Sequence, residues 1–223
     1  MHETASGTFI LPRQPQAGRK ITMGVQKHFT GSIVFGDREG QVMQFESHTE
    51  KIVALVMLAR RGVAGLENQI PFPWVNPDGA AATHFFDFRM SLTDGSRVAM
   101  IVKNARKAAK AEFIAEMSYL ASQVTSDFAD RVTLITEKDL DPIEVHNAEL
   151  IHSVRLADPE PDAAVQSVVA EINSTVQIRD IVAIAGVSGR GFMAVVRMIG
   201  RHELELLAHE RIAPGVLVRR RPA

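Results

Sequence analysis

Apolar residues recur along the chain at two spacings, which together predict a mixed α/β domain. Four short apolar runs have the length and composition of strands, at residues 32–35, 42–45, 70–75 and 132–136. Three segments carry apolar residues at helical spacing, at residues 47–61, 105–124 and 147–154. The first of them has a stripe that would face a core, formed by Ile52, Leu55, Val56 and Ala59.

Residues 84–103 are predicted to form a β-hairpin, since turn-forming residues at 93–96 separate two strand-like runs. A two-residue loop would place Asp87 and Lys103 on opposite faces and mix polar with apolar side chains. A three-residue loop, with Gly95 in the left-handed conformation, instead pairs Leu92 with Ser96 and Asp87 with Ile101. The two loop lengths therefore make different predictions for the two charged residues.

The three-residue loop separates the side chains into an apolar and a more polar face, which favours this register because a one-residue slip would invert both faces. The apolar face would carry Phe86, Phe88, Met90, Leu92, Val98, Met100 and Val102. The other face would carry Asp87, Arg89, Ser91, Arg97, Ala99, Ile101 and Lys103. A neighbouring carboxylate and lysine suit binding a divalent metal and orienting a water beside a phosphodiester. An ordinary cross-strand ion pair is the alternative interpretation.

Two glutamates at the start of the first helix add a further candidate carboxylate. Glu46 and Glu50 are four residues apart, so both can lie on one side of the helix. Ser47 and Glu50 also fit a capping box, in which Glu50 reaches back to the backbone amide of Ser47. A capping role and a metal-binding role therefore compete for Glu50.

Composition divides the chain into four parts. Residues 1–27 contain prolines and glycines with little periodicity and are predicted to be a flexible lead. The α/β domain would span residues 28–155. The acidic, proline-containing residues 156–163 are typical of a linker, and residues 164–223 would form a small second domain.

The second domain is predicted to be helical and similar to a winged helix. A helix at 178–185, a turn at Gly186 and a helix capped by Ser188 give a helix-turn-helix pattern. Two strands around Pro214 and Gly215 would form the wing. Candidate DNA-binding side chains lie on the second helix and at the end of the wing: Arg190, Arg197, Arg201, Arg219 and Arg220. A dimerisation module or a solvated charged face are the alternatives.

Overall composition limits the reactions and partners that the chain can have. The 223 residues are 46% hydrophobic and contain zero cysteines, which excludes disulfides and thiolate chemistry. The net charge of −1 means that any DNA-binding surface must be local, and residues 164–223 carry eight Lys or Arg against five Asp or Glu. Because no apolar run reaches membrane-spanning length and the start is polar, we expect a cytoplasmic protein that does not enter the membrane.

The order of these residues resembles the PD-(D/E)xK nuclease fold and, more closely, TnsA, the endonuclease subunit of heteromeric transposases. The resemblance covers about residues 32–155 and rests on five short motifs in order. They are Ser47 to Glu50, Asn68 to Pro71, THFFDF at Thr83 to Phe88, Ile101-Val102-Lys103, and ITEKDL followed by Asn147 and Leu150. It implies a restriction-endonuclease-like mixed sheet flanked by helices.

By this resemblance, Glu50, Asp87 and the carbonyl of Val102 would hold Mg²⁺ or Mn²⁺, and Lys103 would position the attacking water. Gln69 would support these ligands or be an ordinary polar loop residue before Pro71. Glu46, on the same side of the helix as Glu50, is a further supporting candidate. Arg89 and Arg97, on the polar face of the hairpin, are candidate DNA-binding residues. The chain departs from the family pattern at Ile101, where many members carry a metal ligand. Loss of one anionic ligand weakens a site for a hard cation.

The resemblance implies a metal-dependent DNA endonuclease that cuts at a transposon end. Its partners would be DNA, a DDE transposase subunit and an ATPase regulator, with a homo-oligomer also possible, and it would be associated with the nucleoid. Two alternatives stay open. One is a degenerate DNA-binding or assembly protein of the same fold, and the other is a stand-alone phage or restriction-type nuclease.

Overall fold

The chain divides into two units, Met1–Asp141 and Pro142–Ala223, in a computed structural model. The structure describes residues 2–3, 7–19, 29–36 and 39–221. The remaining residues of the expected flexible lead, at 1, 4–6 and 20–27, lie outside this part of the chain.

The first unit is a mixed α/β arrangement. Its strands are β1 (His2–Glu3), β2 (Phe9–Ile10), β3 (Gly31–Phe35), β4 (Gln41–Phe45), β5 (Val63–Val75), β6 (Ala81–Leu92), β7 (Arg97–Val102) and β8 (Arg131–Ile135). Its helices are α1 (His48–Ala59), α2 (Ala105–Ala108) and α3 (Ala111–Ser122), with a 3-10 turn at Glu137–Asp139. The main sheet has the order β5-β6-β7-β8, antiparallel except for the parallel β7–β8 pair, and β3 pairs with β4 separately.

The predicted hairpin register is confirmed. Ser91 pairs with Arg97 and Phe88 with Met100, and the amide of Leu92 donates to the carbonyl of Ser96 at 2.8 Å. Gly95 has a φ of 87°, a left-handed conformation that a side chain would disfavour. The pattern of apolar and polar residues therefore predicts the correct register, which brings Asp87 toward the end of β7.

The predicted polar face of the hairpin is wrong in part. Ala99 and Ile101 are 0% and 1% exposed and pack with Phe86 and with Leu120 of α3. Phe88 instead contacts Phe45, with ring centroids 6.4 Å apart, so Phe86 and Phe88 do not share a face as predicted. The alternation changes beside Gln69, whose φ of 54° departs from strand geometry.

The helix predicted over residues 105–124 is two helices. Ala108 ends α2, and Lys110 is extended, with φ −77° and ψ 127°, before α3 begins. The change of direction lets α3 bury Leu120 completely against the sheet. Neither proline nor glycine marks the break, so packing rather than local sequence explains it.

Part of the expected flexible lead is attached to the first unit. The amide of Arg13 donates to Gly40 at 3.0 Å, and its carbonyl accepts from Val42 at 2.9 Å. Farther along, the amide of Gly18 donates to the carbonyl of Gln69 on β5 at 3.0 Å. Backbone hydrogen bonds, which hydropathy patterns do not reveal, hold this segment.

The second unit contains four helices and a small antiparallel sheet within the described residues. The helices are α4 (Pro142–Ser153), α5 (Pro159–Ala170), α6 (Ile178–Ala185) and α7 (Ser188–Gly200). The strands are β9 (Val176–Gln177), β10 (Leu204–Leu206) and β11 (Leu217–Arg220), in the order β10-β11-β9. Their core includes Val165, Ile178, Ile181, Val195 and Val218.

The linker predicted at residues 156–163 is corrected, because α5 begins at Pro159. Proline lacks an amide hydrogen that the first helical turn does not use, and Glu160 and Asp162 lie where the helix dipole favours acids. The predicted turn between α6 and α7 is present, with Gly186 at a φ of 70°. Val187 rather than Ser188 occupies the N-cap position of α7.

Candidate active site at the end of the hairpin

Asp87 lies where regular pairing between β6 and β7 ends. The residue is 7% exposed, and Oδ2 of its carboxylate accepts a hydrogen bond from the backbone amide of Val102 at 2.7 Å. The Nζ of Lys103 is 3.7 Å from the same oxygen. The predicted proximity of Asp87 and Lys103 is therefore present, with the carboxylate buried and the lysine partly exposed.

Glu50 is placed by the cap of α1. The hydroxyl of Ser47 accepts from the amide of Glu50 at 3.1 Å and donates to Oε1 of Glu50 at 2.8 Å. Oε2 of Glu50 accepts from the amide of Glu46 at 3.0 Å, one residue before the amide that the capping box predicts. The capping role of Glu50 is therefore present, and both oxygens of its carboxylate already accept hydrogen bonds.

The two buried carboxyls and Lys103 interact electrostatically. Burial raises the pKa of Glu50, and the nearby Asp87 carboxylate raises it further. Burial also raises the pKa of Asp87, although Lys103, the Val102 amide and Arg19 each act in the opposite direction. The arrangement thus brings Glu50, Asp87 and Lys103 into one charged cluster at the end of β7.

Arg19, which no sequence pattern indicated, contacts both Gln69 and Glu46. Gln69 is 1% exposed, and its Oε1 accepts a hydrogen bond from Nε of Arg19 at 2.6 Å. Arg19 also forms an ion pair with Glu46. Arg19 lies in a segment without apolar periodicity, so no pattern pointed to it.

Glu50 and Asp87 are suited to a hard cation that is bound by few protein ligands. Mg²⁺ keeps several waters and is commonly bound through one or two carboxylates together with substrate phosphates, and Glu50 and Asp87 are two such groups. Within the described residues there is no group of three or more His, Asp or Glu side chains suited to a metal. Ile101 packs into the core beside Phe86, so it adds no ligand.

His84 lies near this cluster without joining it. Burial, together with the smaller effect of the Lys103 charge, lowers the pKa of His84 to about 4. Its ring meets Phe86 edge-on, with centroids 4.8 Å apart. His84 is therefore neutral around physiological pH and packs against aromatic rings, and its buried Nε2 has no hydrogen-bond partner among the described residues.

The hairpin arginines expected to contact DNA are held by protein groups. Arg89 forms a two-pronged interaction with Glu67, at 2.8 Å and 3.1 Å, and lies over the Phe128 ring. Arg97 donates to the carbonyl of Ser126 at 2.7 Å. Neither belongs to the Asp87 cluster.

Arg197 and Arg190 are also engaged in the second unit. Arg197 was predicted to contact DNA, but it is 6% exposed and its Nε donates to Asp162 at 2.7 Å. Arg197 is covered because Asp162 belongs to α5, whose first residues were predicted to be part of a linker. Arg190 binds Asp158 and Glu160, and these hydrogen bonds raise its pKa.

The other arginines differ in how they are held. Arg219 pairs with Glu205, and Arg220 donates to the carbonyl of Ala170 at 2.9 Å. Arg201 is exposed. Because the unit includes α4 and α5, residues 142–223 carry nine Lys or Arg and ten Asp or Glu, so the positive balance of residues 164–223 does not extend to the whole unit.

Three basic residues directly after Lys103 were overlooked in the sequence. Arg106, Lys107 and Lys110 are exposed, and within the part of the chain that the structure describes none has an ion pair. The spacing KNARKAAK at residues 103–110 was the available signal. These cations lie in the chain segment that leaves the candidate site.

Neither protein-family models nor curated proteins give a match to this chain. Across residues 2–3, 7–19, 29–36 and 39–221, no helix combines the length and apolar character needed to cross a membrane.

Proposed function

We propose that the chain is a metal-dependent DNA endonuclease that hydrolyses a phosphodiester at the cluster of Glu50, Asp87 and Lys103. The observation that carries the proposal is the convergence of two buried carboxyls with raised pKa values and a lysine 3.7 Å from one of them. Perturbed groups of this kind are concentrated at functional sites, because burying charge is otherwise unfavourable.

Each residue has a distinct part in the proposed reaction. Glu50 and Asp87, together with the carbonyl of Val102, would hold Mg²⁺ or Mn²⁺. The bound ion would supply a Lewis acid that favours ionisation of water and stabilises phosphate charge. Lys103 orients the attacking water or a phosphate oxygen through its partly exposed ammonium group. The Val102 amide fixes the Asp87 carboxylate.

The finer assignment rests on the resemblance to TnsA. It supports a restriction-endonuclease-like fold, action at a transposon end and work with a DDE transposase and an ATPase regulator. It also supports association with the nucleoid. The α6-turn-α7 pair and the β10–β11 strands support a winged-helix-like second domain, in which Arg201 and the exposed start of α7 are the groups available to DNA. A stand-alone phage or restriction-type nuclease uses the same site chemistry.

A second candidate function is DNA binding or assembly without cleavage. Two observations favour it. Both oxygens of Glu50 already accept hydrogen bonds. Ile101 packs into the core, whereas many members of the TnsA family carry a metal ligand at this position. A nicking assay on supercoiled plasmid, with Mg²⁺, Mn²⁺ or a chelator, separates the candidates. Metal-dependent conversion to open circles supports the nuclease, whereas binding without conversion supports the second function.

A further inference from the structure

The segment of residues 7–19 approaches the candidate site at a fixed point. The amide of Gly18 donates to the carbonyl of Gln69 at 3.0 Å. A Cβ at position 18 would collide with that carbonyl oxygen and lie 2.5 Å from Cδ of Pro71. Only glycine therefore allows the segment to lie this close to β5, and the next residue is delivered to the edge of the site.

Arg19 is held by three different contacts. Its Nε donates to the buried Gln69 at 2.6 Å, and one terminal nitrogen pairs with Glu46. Its guanidinium lies 5.6 Å from the centre of the Phe85 ring. A planar group fixed by hydrogen bonds on one edge and by an aromatic ring on its face loses little freedom on binding a further partner.

The guanidinium keeps donors for that partner. It has five N–H groups, and the contacts with Gln69 and Glu46 use only part of them. The side chain is 40% exposed, so the other donors can reach a ligand from solvent. The charge of Arg19 also acts on Asp87, where it offsets part of the rise in pKa that burial causes. The free donors thus lie beside the proposed reaction centre.

We infer that Arg19 is a substrate-binding residue that clamps a backbone phosphate of DNA next to Asp87, and this inference rests on the proposed nuclease function. An arginine fork matches the oxygens of a phosphate, whereas a lysine offers only a point charge. An exposed ion pair with Glu46 would stabilise the fold little by itself. Gln69, which was assigned a supporting role from the resemblance, gains a specific one: it orients Arg19.

The test uses the full chain and a short DNA duplex, with binding followed by fluorescence anisotropy in chelator so that cleavage does not interfere. Arg19→Ala should weaken binding roughly tenfold and reduce the slope of affinity against salt by about one phosphate contact. Arg19→Lys should keep most of the slope but lose affinity, and Gly18→Ala should act like Arg19→Ala by displacing the segment. Arg13→Ala is the matched control, because Arg13 lies in the same segment and pairs with Glu39.

Equal binding by the Arg19→Ala and Arg13→Ala proteins would overturn the inference, and so would wild-type protein without salt-dependent binding. Steady-state cleavage in Mg²⁺ then separates the two proposals. Wild-type cleavage with an unchanged KM in Arg19→Ala removes the clamp and leaves the nuclease. Binding that depends on Arg19 without any cleavage keeps the clamp and removes the nuclease. Thermal unfolding of each variant identifies losses that come from misfolding.

Discussion

The ammonium nitrogen of Lys103 lies 3.7 Å from Oδ2 of Asp87, the oxygen that also accepts the Val102 amide. Despite these two favourable partners, the pKa of Asp87 is raised, because burial of its carboxylate outweighs them. The Asp87 charge is thus unfavourable for the stability of the folded protein, as expected of the cation ligand that we propose. This balance between stability and function leads to the first prediction.

Asp87→Asn should raise the thermal unfolding midpoint of the metal-free protein at neutral pH. A raised folded-state pKa means that the contribution of Asp87 to stability is complete below its ordinary value of 3.8 and is lost as pH rises through the raised value. The advantage of the variant should therefore shrink in acid. Calorimetry across pH measures it.

Mg²⁺ or Mn²⁺ should raise the thermal unfolding midpoint of the wild-type protein at neutral pH, because an ion bound only by the folded state stabilises that state. The same ions should raise the midpoint of Asp87→Asn less. A variant that is less stable than wild type at neutral pH would show that the Asp87 carboxylate is a structural ion-pair partner. Equal metal shifts in both proteins would place the ion elsewhere.

Ser47→Ala should weaken the start of α1 and free Glu50 for the proposed metal. The loss of the hydroxyl that accepts from the Glu50 amide should cost about 1 kcal/mol of unfolding free energy. It also releases Oε1 of Glu50 from a competing hydrogen bond, so Mn²⁺ affinity should rise while stability falls. Ser47→Thr keeps the hydroxyl and is the control. Changed stability with unchanged Mn²⁺ affinity would separate Glu50 from metal binding.

Ile101→Glu should destabilise the protein rather than complete a metal site. The side chain is 1% exposed among Phe86, Ala99 and Leu120, so an added carboxylate would be buried away from water. We expect a loss of about 3 kcal/mol or more in unfolding free energy, against about 1 kcal/mol for Ile101→Val. A stable glutamate variant with tighter Mn²⁺ binding would instead place position 101 at the site.

The sequence predicts local relationships in this molecule well. Separation of apolar from polar side chains selected the hairpin register, and with it the proximity of Asp87 and Lys103. The Ser47-to-Glu50 spacing predicted the cap that holds Glu50, apart from the backbone amide that its carboxylate contacts. Each of these features depends on residues adjacent in the chain or paired across a single turn.

Tertiary packing decided what the sequence did not predict. Ile101 lies in the core because the face of β7 that it shares with Ala99 is covered by α3 through Leu120. Arg197 is buried because α5, which starts with prolines, covers it. Arg19 reaches the site through backbone hydrogen bonding of a segment that has no hydrophobic pattern. None of these three side-chain positions could be predicted from the spacing of apolar residues in the sequence.

Arg197→Ala should destabilise the protein strongly, whereas Arg201→Ala should leave its stability nearly unchanged. Removing Arg197 breaks its buried pair with Asp162 and should cost about 3 kcal/mol of unfolding free energy or more. Removing the exposed Arg201 should change stability by less than about 0.5 kcal/mol. If the second unit binds DNA, Arg201→Ala should also lower the salt slope of binding in the full chain. An Arg197→Ala protein with wild-type stability would show that the buried pair contributes little.

The most direct measurement is the rate of plasmid nicking by wild type, Asp87→Ala and Lys103→Ala in Mg²⁺ and Mn²⁺. Asp94→Ala is the control, because this aspartate lies in the turn of the same hairpin and bonds only to Ser96 among the contacts described. We predict metal-dependent nicking by wild type and Asp94→Ala, and a loss of about a hundredfold or more in the two site variants. Equal nicking by all four proteins would contradict the assignment of Asp87 and Lys103 as the catalytic centre.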